Sequence, residues 1–416
     1  MGRRDGELRR PGGVGLLFLV ILLAITAFGL LAYKAYADGD MNAAMEALAL
    51  GGIISLIALF QYGLFTSFFS GLDRYSLIIM NLLCVVGLIM LYRINPNYAF
   101  RQCLFYGVGM LCMVVAMVLV RSTSIWERLS WLFIIAGMLL LPLGLLFGRV
   151  IGGSRNWVEI GGFTLQPSEF VKVLLVFAMA ACFQQSNRVR NLWPVLMFVA
   201  YSMVILVLQK DLGSALLYFG TFIVVFYTAT SRWLLTLLGL GAAGVGAYGS
   251  YLMFDHVRTR VEIWRDPWAT YGTKGYQIAQ SLMAIASGGM VGMGLGLGTP
   301  KLIPAYHTDF IFAVICEEFG ILVGVALVAF YLLLVVRGAL IALRARTPFH
   351  AVLAIGCTSL LTLQSFIILG GVIKMIPLTG ITLPFVSYGG SSMIVSMVLI
   401  GVLEGVAVVN RERTRE

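Results

Sequence analysis

Apolar residues in this chain come in long blocks instead of alternating with polar ones. The blocks lie near residues 14–36, 47–68, 76–92, 104–120, 130–148, 167–184, 192–209, 212–230, 233–254, 308–336, 350–374 and 383–409. A helix crosses a bilayer with about 20 apolar residues, so the pattern predicts twelve spanning helices. Blocks 192–209 and 212–230 are parted only by Lys210 and Asp211, which predicts an interfacial turn. Two polar intervals are long, 149–166 and 255–307, and they are rich in Trp, Tyr, Gly and Pro. Long irregular segments of that composition are expected to be ordered and functional. No internal repeat or low-complexity tract is visible. The pattern predicts an all-α polytopic membrane protein.

Composition supports that class. The 416 residues are 60% hydrophobic and 12% charged, whereas a soluble domain is about a quarter charged. The net charge of +10 does not point to nucleic acid, because no basic helix or aromatic-basic module accompanies it. Sixteen arginines fall in loops on one side: Arg3, Arg4, Arg9, Arg10, Arg74, Arg121, Arg128, Arg188, Arg190, Arg232, Arg337, Arg344, Arg346, Arg411, Arg413 and Arg415. The positive-inside rule makes that side cytoplasmic, and an even number of spans puts both termini there. The other thirteen Lys and Arg lie on or near the outer side, with an excess after residue 148. That excess implies a local demand for positive charge. The opening "MGRRDGELRRPGG" resembles the charged start of a signal peptide, but the apolar run after it is long and lacks a small-residue cleavage site, so a retained first helix is expected. The six cysteines form no CxxC pair and predict neither a disulfide framework nor a zinc site.

Polar residues beside the apolar blocks carry the candidate chemistry. Glu169 and Lys172 lie three apart at the start of a helix opened by Pro167 and Ser168. They form either a structural pair or a charged rim for a polar lipid headgroup. "IPAYHTDFIFAVICEEFG" places His307 and Asp309 before a helix that carries Glu317 and Glu318. Capping of that helix is favoured for His307 and Asp309 over metal ligation, for which two groups are too few. "SGGMVGMGLGLGTPK" follows no strand and predicts a tight turn whose open amides, with Lys274 and Lys301, would suit phosphate. "PLTGITLPFVSYGGSSM" breaks the backbone at the mouth of the last block. Broken backbone at membrane depth is tolerated where it lines a cavity. Together these segments suit an anionic lipid-linked substrate.

Five of these stretches, in order, carry a resemblance. "SRNWVEIGGFTLQPSEFVK", "LQKDLGSA", "GYQIAQSLMAIASGG", "HTDFIFAVICEEFG" and "PLTGITLPFVSYGGSS" resemble the signatures of the RodA/FtsW/SpoVE (SEDS) family over roughly residues 76–410. The resemblance implies a SEDS-type bundle of about ten spans, two extra N-terminal helices within 1–75, a short cytoplasmic tail at 411–416 and a large outer loop at 255–307. It implies a peptidoglycan glycosyltransferase of the bacterial cytoplasmic membrane that polymerises lipid II, working with a class B penicillin-binding protein in elongation, division or sporulation. A flippase for the same lipid and a non-catalytic scaffold are the alternatives. By position, the catalytic acid falls on or near Asp266, Glu169 and Lys172 match the paired charges, and Arg155 matches the basic residue before the Trp. Asp211 matches the acid of "DLG", and Ser387, Gly389 and Gly390 match "SYGG". In the implied transfer, Asp266 takes a proton from the acceptor hydroxyl, while Arg155, Lys172, Arg260 and Lys274 face pyrophosphate. His307 and Asp309 join the substrate-binding set. A divalent cation suits this chemistry, although the sequence offers no ligand set for it. The chain departs from many relatives at Thr270, where they keep a second acid, and at Ile368 and Lys374, near their Asn and Gly.

Overall fold

The computed structural model describes residues 13–69, 71–122, 125–151, 153–185 and 192–412. Arg3, Arg4, Arg9, Arg10, Arg188, Arg190, Arg413 and Arg415 lie outside the described residues. The first apolar blocks become α1 (Gly13–Ala37), α2 (Met41–Phe68), α3 (Arg74–Ile94) and α4 (Pro96–Ser122). The fifth is divided into α5 (Ser130–Leu140) and α6 (Leu143–Phe147) at Pro142, which has no N–H to continue the ladder. Next come α7 (Pro167–Gln185), α8 (Trp193–Leu208), α9 (Leu212–Thr230) and α10 (Trp233–Met253). The last three blocks become α13 (Ile311–Leu343), α14 (Pro348–Val372) and α15 (Gly390–Glu412). Among the described residues, eleven helical segments are long and apolar enough to cross a membrane. The block that falls short is the seventh, α8, which has 16 residues and spans only about 24 Å at 1.5 Å per residue.

The bundle is built around α3, α7, α14 and α15, whose apolar windows are the most buried. Helix α15 packs along α4, and α14 packs against α7, α9 and α13. The two N-terminal helices pair with each other, and α1 also packs on α3. By contrast, α10 buries none of its residues and stands at the edge. At one end, Asp73, Arg337 and Glu404 join α3, α13 and α15. The Arg337 guanidinium pairs with Asp73, and Glu404 accepts from the Asp73 amide at 2.7 Å and the Ser76 hydroxyl at 2.7 Å.

Both long polar intervals contain regular structure, which corrects the expectation of irregular loops. The first interval holds an antiparallel meander of β1 (Arg149–Ile151), β2 (Ser154–Ile160) and β3 (Phe163–Leu165). Ile160 pairs with Phe163 across Gly161 (φ +59°) and Gly162 (φ +81°). Two successive positive φ values make the two-residue turn that matches strand twist. The second interval holds α11 (Asp255–Arg265) and α12 (Tyr276–Gly288). Helix also starts later than expected in the last block: residues 377–389 are non-helical, and α15 begins at Gly390.

Candidate functional site

A cavity of about 560 Å³ opens where the meander, α11, α12, the segment before α13 and residues 378–388 converge. Its charged lining is Glu169, Asp211, Arg260, Lys274 and Asp309, with His307 beside them. Asn156, Trp157, Gln166, Gln277, Thr379 and Tyr388 supply polar and aromatic surface. The broken backbone of the "PLTG…SYGG" stretch therefore does line a cavity, as expected of non-helical chain at the end of a membrane bundle.

Each lining group is set by its neighbours. Pro167 opens α7, which places Glu169 on the cavity and Lys172 one turn deeper. Lys172 Nζ lies 2.6 Å from Glu169 Oε2 and donates to Gln364 Oε1 at 3.0 Å. Both charges are buried, so the pairing is what allows them there. Asp211 caps α9: its Oδ1 accepts from the Ser214 amide at 3.0 Å. Its Oδ2 accepts from Asn156 Nδ2 (2.7 Å), Ser214 Oγ (2.8 Å) and Gln166 Nε2 (3.1 Å), which ties β2 and the start of α7 to α9. Lys210, just before it, adopts φ +60° and forms the predicted turn.

Arg260 reaches in from α11 and donates from Nη1 to the Thr379 carbonyl at 3.1 Å. Burial pulls its guanidinium below the usual range, with Asp309 and Asp211 opposing the shift. Lys274 is exposed at the rim, with Nζ 3.4 Å from Thr259 Oγ1. The His307 ring stacks on Tyr98 at 4.8 Å, and burial lowers its pKa. Burial also lifts the Asp309 carboxyl, to about 6, against the opposing pull of the Thr308 hydroxyl and the Arg260 charge.

Several expectations are corrected. Asp309 does not cap α13: the cap position is Phe310, and no side chain bonds there. In the Gly-rich loop several amides are already taken within the protein. Those of Met293 and Gly294 donate to the carbonyls of Glu317 and Glu318. Gly296 and Thr299 donate to the carboxylates of Glu318 and Glu317 at 3.0 Å each. Positive φ at Gly292, Gly294 and Gly296 makes this close wrap possible. Arg93 closes the cluster, 3.2 Å from Glu318, and Lys34 of α1 donates to the Gly296 carbonyl at 2.6 Å. This is a clamp on α13, separate from the cavity.

The cavity brings together Glu169, Asp211, Arg260, Lys274, His307 and Asp309 of the sequence candidates. It does not include Asp266, Arg155, Lys172, Ser387, Gly389 or Gly390. Asp266 is exposed after α11, and its Oδ1 accepts the amides of Trp268 and Ala269 at 3.0 and 3.2 Å. Arg155 is exposed and donates to the Gly148 carbonyl at 3.2 Å. Ser387 accepts from the Leu383 amide and donates to the Thr308 carbonyl at 2.7 Å, so it fixes the backbone beside Asp309. The Gly389 amide donates to Gln102 at 3.2 Å, and Gly390 packs against the Phe105 ring. Asn156, Gln166, Gln277 and Thr379 escaped the sequence reading because uncharged polar residues carry no signal of their own. Among the described residues no three His, Cys, Asp or Glu side chains gather as a metal site.

The chain is similar to known proteins over most of its length. The peptidoglycan glycosyltransferase RodA of Mycobacterium tuberculosis is 34% identical over 361 residues, covering 80% of this chain and 77% of RodA. Stage V sporulation protein E of Bacillus subtilis is 35% identical over 358 residues, covering 80% of this chain and 96% of that protein. A solved peptidoglycan synthase complex, described as coordinating polymerization and crosslinking, contains a chain that superposes with TM-score 0.71 at 28% identity, over 83% of this chain and 99% of that one. The crystal structure of Thermus thermophilus RodA superposes with TM-score 0.62 at 26% identity, over 83% and 98%. The family model for FtsW, RodA and SpoVE cell cycle proteins matches residues 64–412, and the chain belongs to that family.

Proposed function

We propose that this protein is a peptidoglycan glycosyltransferase that polymerises lipid II at the outer face of the bacterial cytoplasmic membrane. One observation carries the reading: a single polar cavity at the end of a membrane bundle holds Arg260 and Lys274 opposite carboxylates and amide side chains. Arg260 and Lys274 stabilise the charge that grows on the departing lipid pyrophosphate, and a recessed site strengthens that effect. Asn156, Gln166, Gln277 and Thr379 offer hydrogen bonds to sugar hydroxyls, and Trp157 offers a ring to a sugar face. In this reading a carboxylate removes the acceptor's proton, and the sequence gives that role to Asp266. Both termini lie in the cytoplasm, which requires the 16-residue α8 to cross together with the eleven longer spans. A class B penicillin-binding protein receives the glycan, a partnership supported by the similarity to a chain of a polymerising and crosslinking complex. Serving elongation, division or sporulation are all compatible with the family.

The test uses the purified full chain in liposomes with lipid II, alone and with a co-expressed class B penicillin-binding protein. A glycan ladder that disappears in Arg260→Ala is the expected result. Lipid movement between leaflets without polymer would make the protein a transporter. Polymer formed equally well by the partner alone would make it a scaffold.

A further inference from the structure

Three carboxylates line the cavity, and they differ in how much of their bonding capacity the protein already uses. Glu169 is held by Lys172 at 2.6 Å. Asp211 accepts from four donors, one on Oδ1 and three on Oδ2. Donors that favour the anion make a carboxylate a poor proton acceptor. Asp309 differs from both, with one side-chain hydrogen bond from the neighbouring Thr308 hydroxyl. Among the described residues no cation lies within ion-pair distance of it. Its Oδ2 faces Gly380, whose φ of +76° and missing side chain leave the space between Asp309 and Arg260 open. A Cβ placed there would lie 3.6 Å from Asp309 Oδ2 and 3.9 Å from Arg260 Nη2.

We propose that Asp309 is the catalytic carboxylate that takes the proton of the acceptor hydroxyl in this cavity. The proposal rests on the glycosyltransferase reading above. The acceptor O–H breaks and its proton goes to Asp309. The electron pair left on that oxygen forms the bond to the donor's anomeric carbon. The bond from that carbon to the pyrophosphate oxygen breaks, and its electron pair leaves with the lipid pyrophosphate beside Arg260 and Lys274. Asp266, outside the cavity lining with its Oδ1 on two turn amides, has no such position.

Three features make Asp309 suitable. The backbone beside it is fixed by Ser387 through the Thr308 carbonyl at 2.7 Å. Arg260 is near enough to keep it ionised but bonds Thr379 instead. Burial raises its pKa to about 6, so near neutral pH it is ionised and still basic. The charged groups around it are Arg260 from α11, Lys274 before α12, Glu169 on α7, Asp211 at the start of α9 and His307 on its own segment. Tyr388 is the titratable side chain that residues 378–388 add to the lining.

The test measures lipid II polymerisation by the full-length chain with its co-expressed penicillin-binding protein, for wild type, Asp309→Asn, Asp309→Glu and Asp266→Asn. Asp309→Asn is expected to lower turnover about 10²- to 10⁴-fold, the usual cost of losing a positioned base, while lipid II binding changes less than about threefold. Wild-type turnover is expected to fall about tenfold per pH unit below about 6, with that acid limb absent from the residual activity of Asp309→Asn. Asp309→Glu should restore part of the rate. A merely structural role would not move the acid limb. An active Asp309→Asn beside an inactive Asp266→Asn would assign the proton to Asp266 and overturn the proposal, while leaving the polymerase reading intact. Absence of polymer from the wild type would instead overturn the polymerase reading itself.

Discussion

Asp309 and the pair Glu317–Glu318 stand within ten residues of each other on one stretch of chain, yet their surroundings are opposite. Glu317 and Glu318 are buried and closely bonded: Gly296 and Thr299 donate amides to them, and Arg93 closes on Glu318. Asp309 sits at the cavity with no ion pair within reach among the described residues. The two glutamates are tied to the loop's amides, the Thr299 hydroxyl and Arg93, with Glu317 Oε2 their one oxygen that has neither a hydrogen bond nor an ion pair, and they hold structure, whereas Asp309 is left for a substrate. The Gly-rich loop resembled a phosphate cradle in sequence, but in three dimensions it is the donor set that holds the glutamates.

This contrast can be broken by stability measurements. The largest effect is expected from Glu318→Gln, which leaves the Arg93 guanidinium without its carboxylate. Removing one partner of such a buried pair costs about 3 kcal/mol, read as a fall in the detergent melting temperature. Asp309→Asn should move the other way. Its folded-state pKa of about 6 exceeds the usual aspartate value, so the folded state holds the proton more tightly. Stability linked to that proton is fully present below about pH 4 and is lost as pH rises through about 6. At neutral pH the buried charge therefore costs the fold on the order of 3 kcal/mol, and Asp309→Asn should melt higher than wild type, with the gain vanishing below about pH 4. A lower melting temperature at neutral pH would place Asp309 with the structural acids.

Asp211 tests the boundary, since it lines the cavity but is saturated. Asp211→Ala removes the α9 cap and strands Asn156 and Gln166, a loss of about 2 kcal/mol. A stability change near zero would mean that its hydrogen bonds are not structural. The smallest effect is expected at Thr270, whose Oγ1 is buried without a hydrogen-bond partner. Thr270→Val should shift stability by less than about 0.5 kcal/mol and leave the fold intact. A large loss there would reveal a bond that the hydroxyl makes in solution.

The spans were legible in the sequence because membrane thickness imposes one length on every apolar block. Eleven of the twelve predicted blocks appear as helices long enough to cross, and α8 is the short exception. The meander was missed although Gly161 and Gly162 between "SRNWVEI" and "FTL" carry a hairpin-turn signal. Two of its three strands, β1 and β3, have three residues each, too short for alternation to stand out. For the site, charge was the readable signal. It found Glu169, Asp211, Arg260, Lys274 and Asp309, drawn from α7, α9, α11, the loop before α12 and the segment before α13. Which of them stays unsaturated depends on partners far away in sequence, such as Ser387 against Thr308, and no local pattern records that. Arg155 and Asp266 show the converse, since motif position alone does not place a side chain in a cavity.

In the proposed reaction this cavity is where the lipid-linked sugar pyrophosphate binds. A structure of the full-length chain determined in the presence of lipid II tests it most directly. Pyrophosphate density is expected between Arg260 and Lys274, with a sugar hydroxyl within hydrogen-bond distance of Asp309. Density on the Gly-rich loop beside Lys301, with the cavity containing only water, would contradict it.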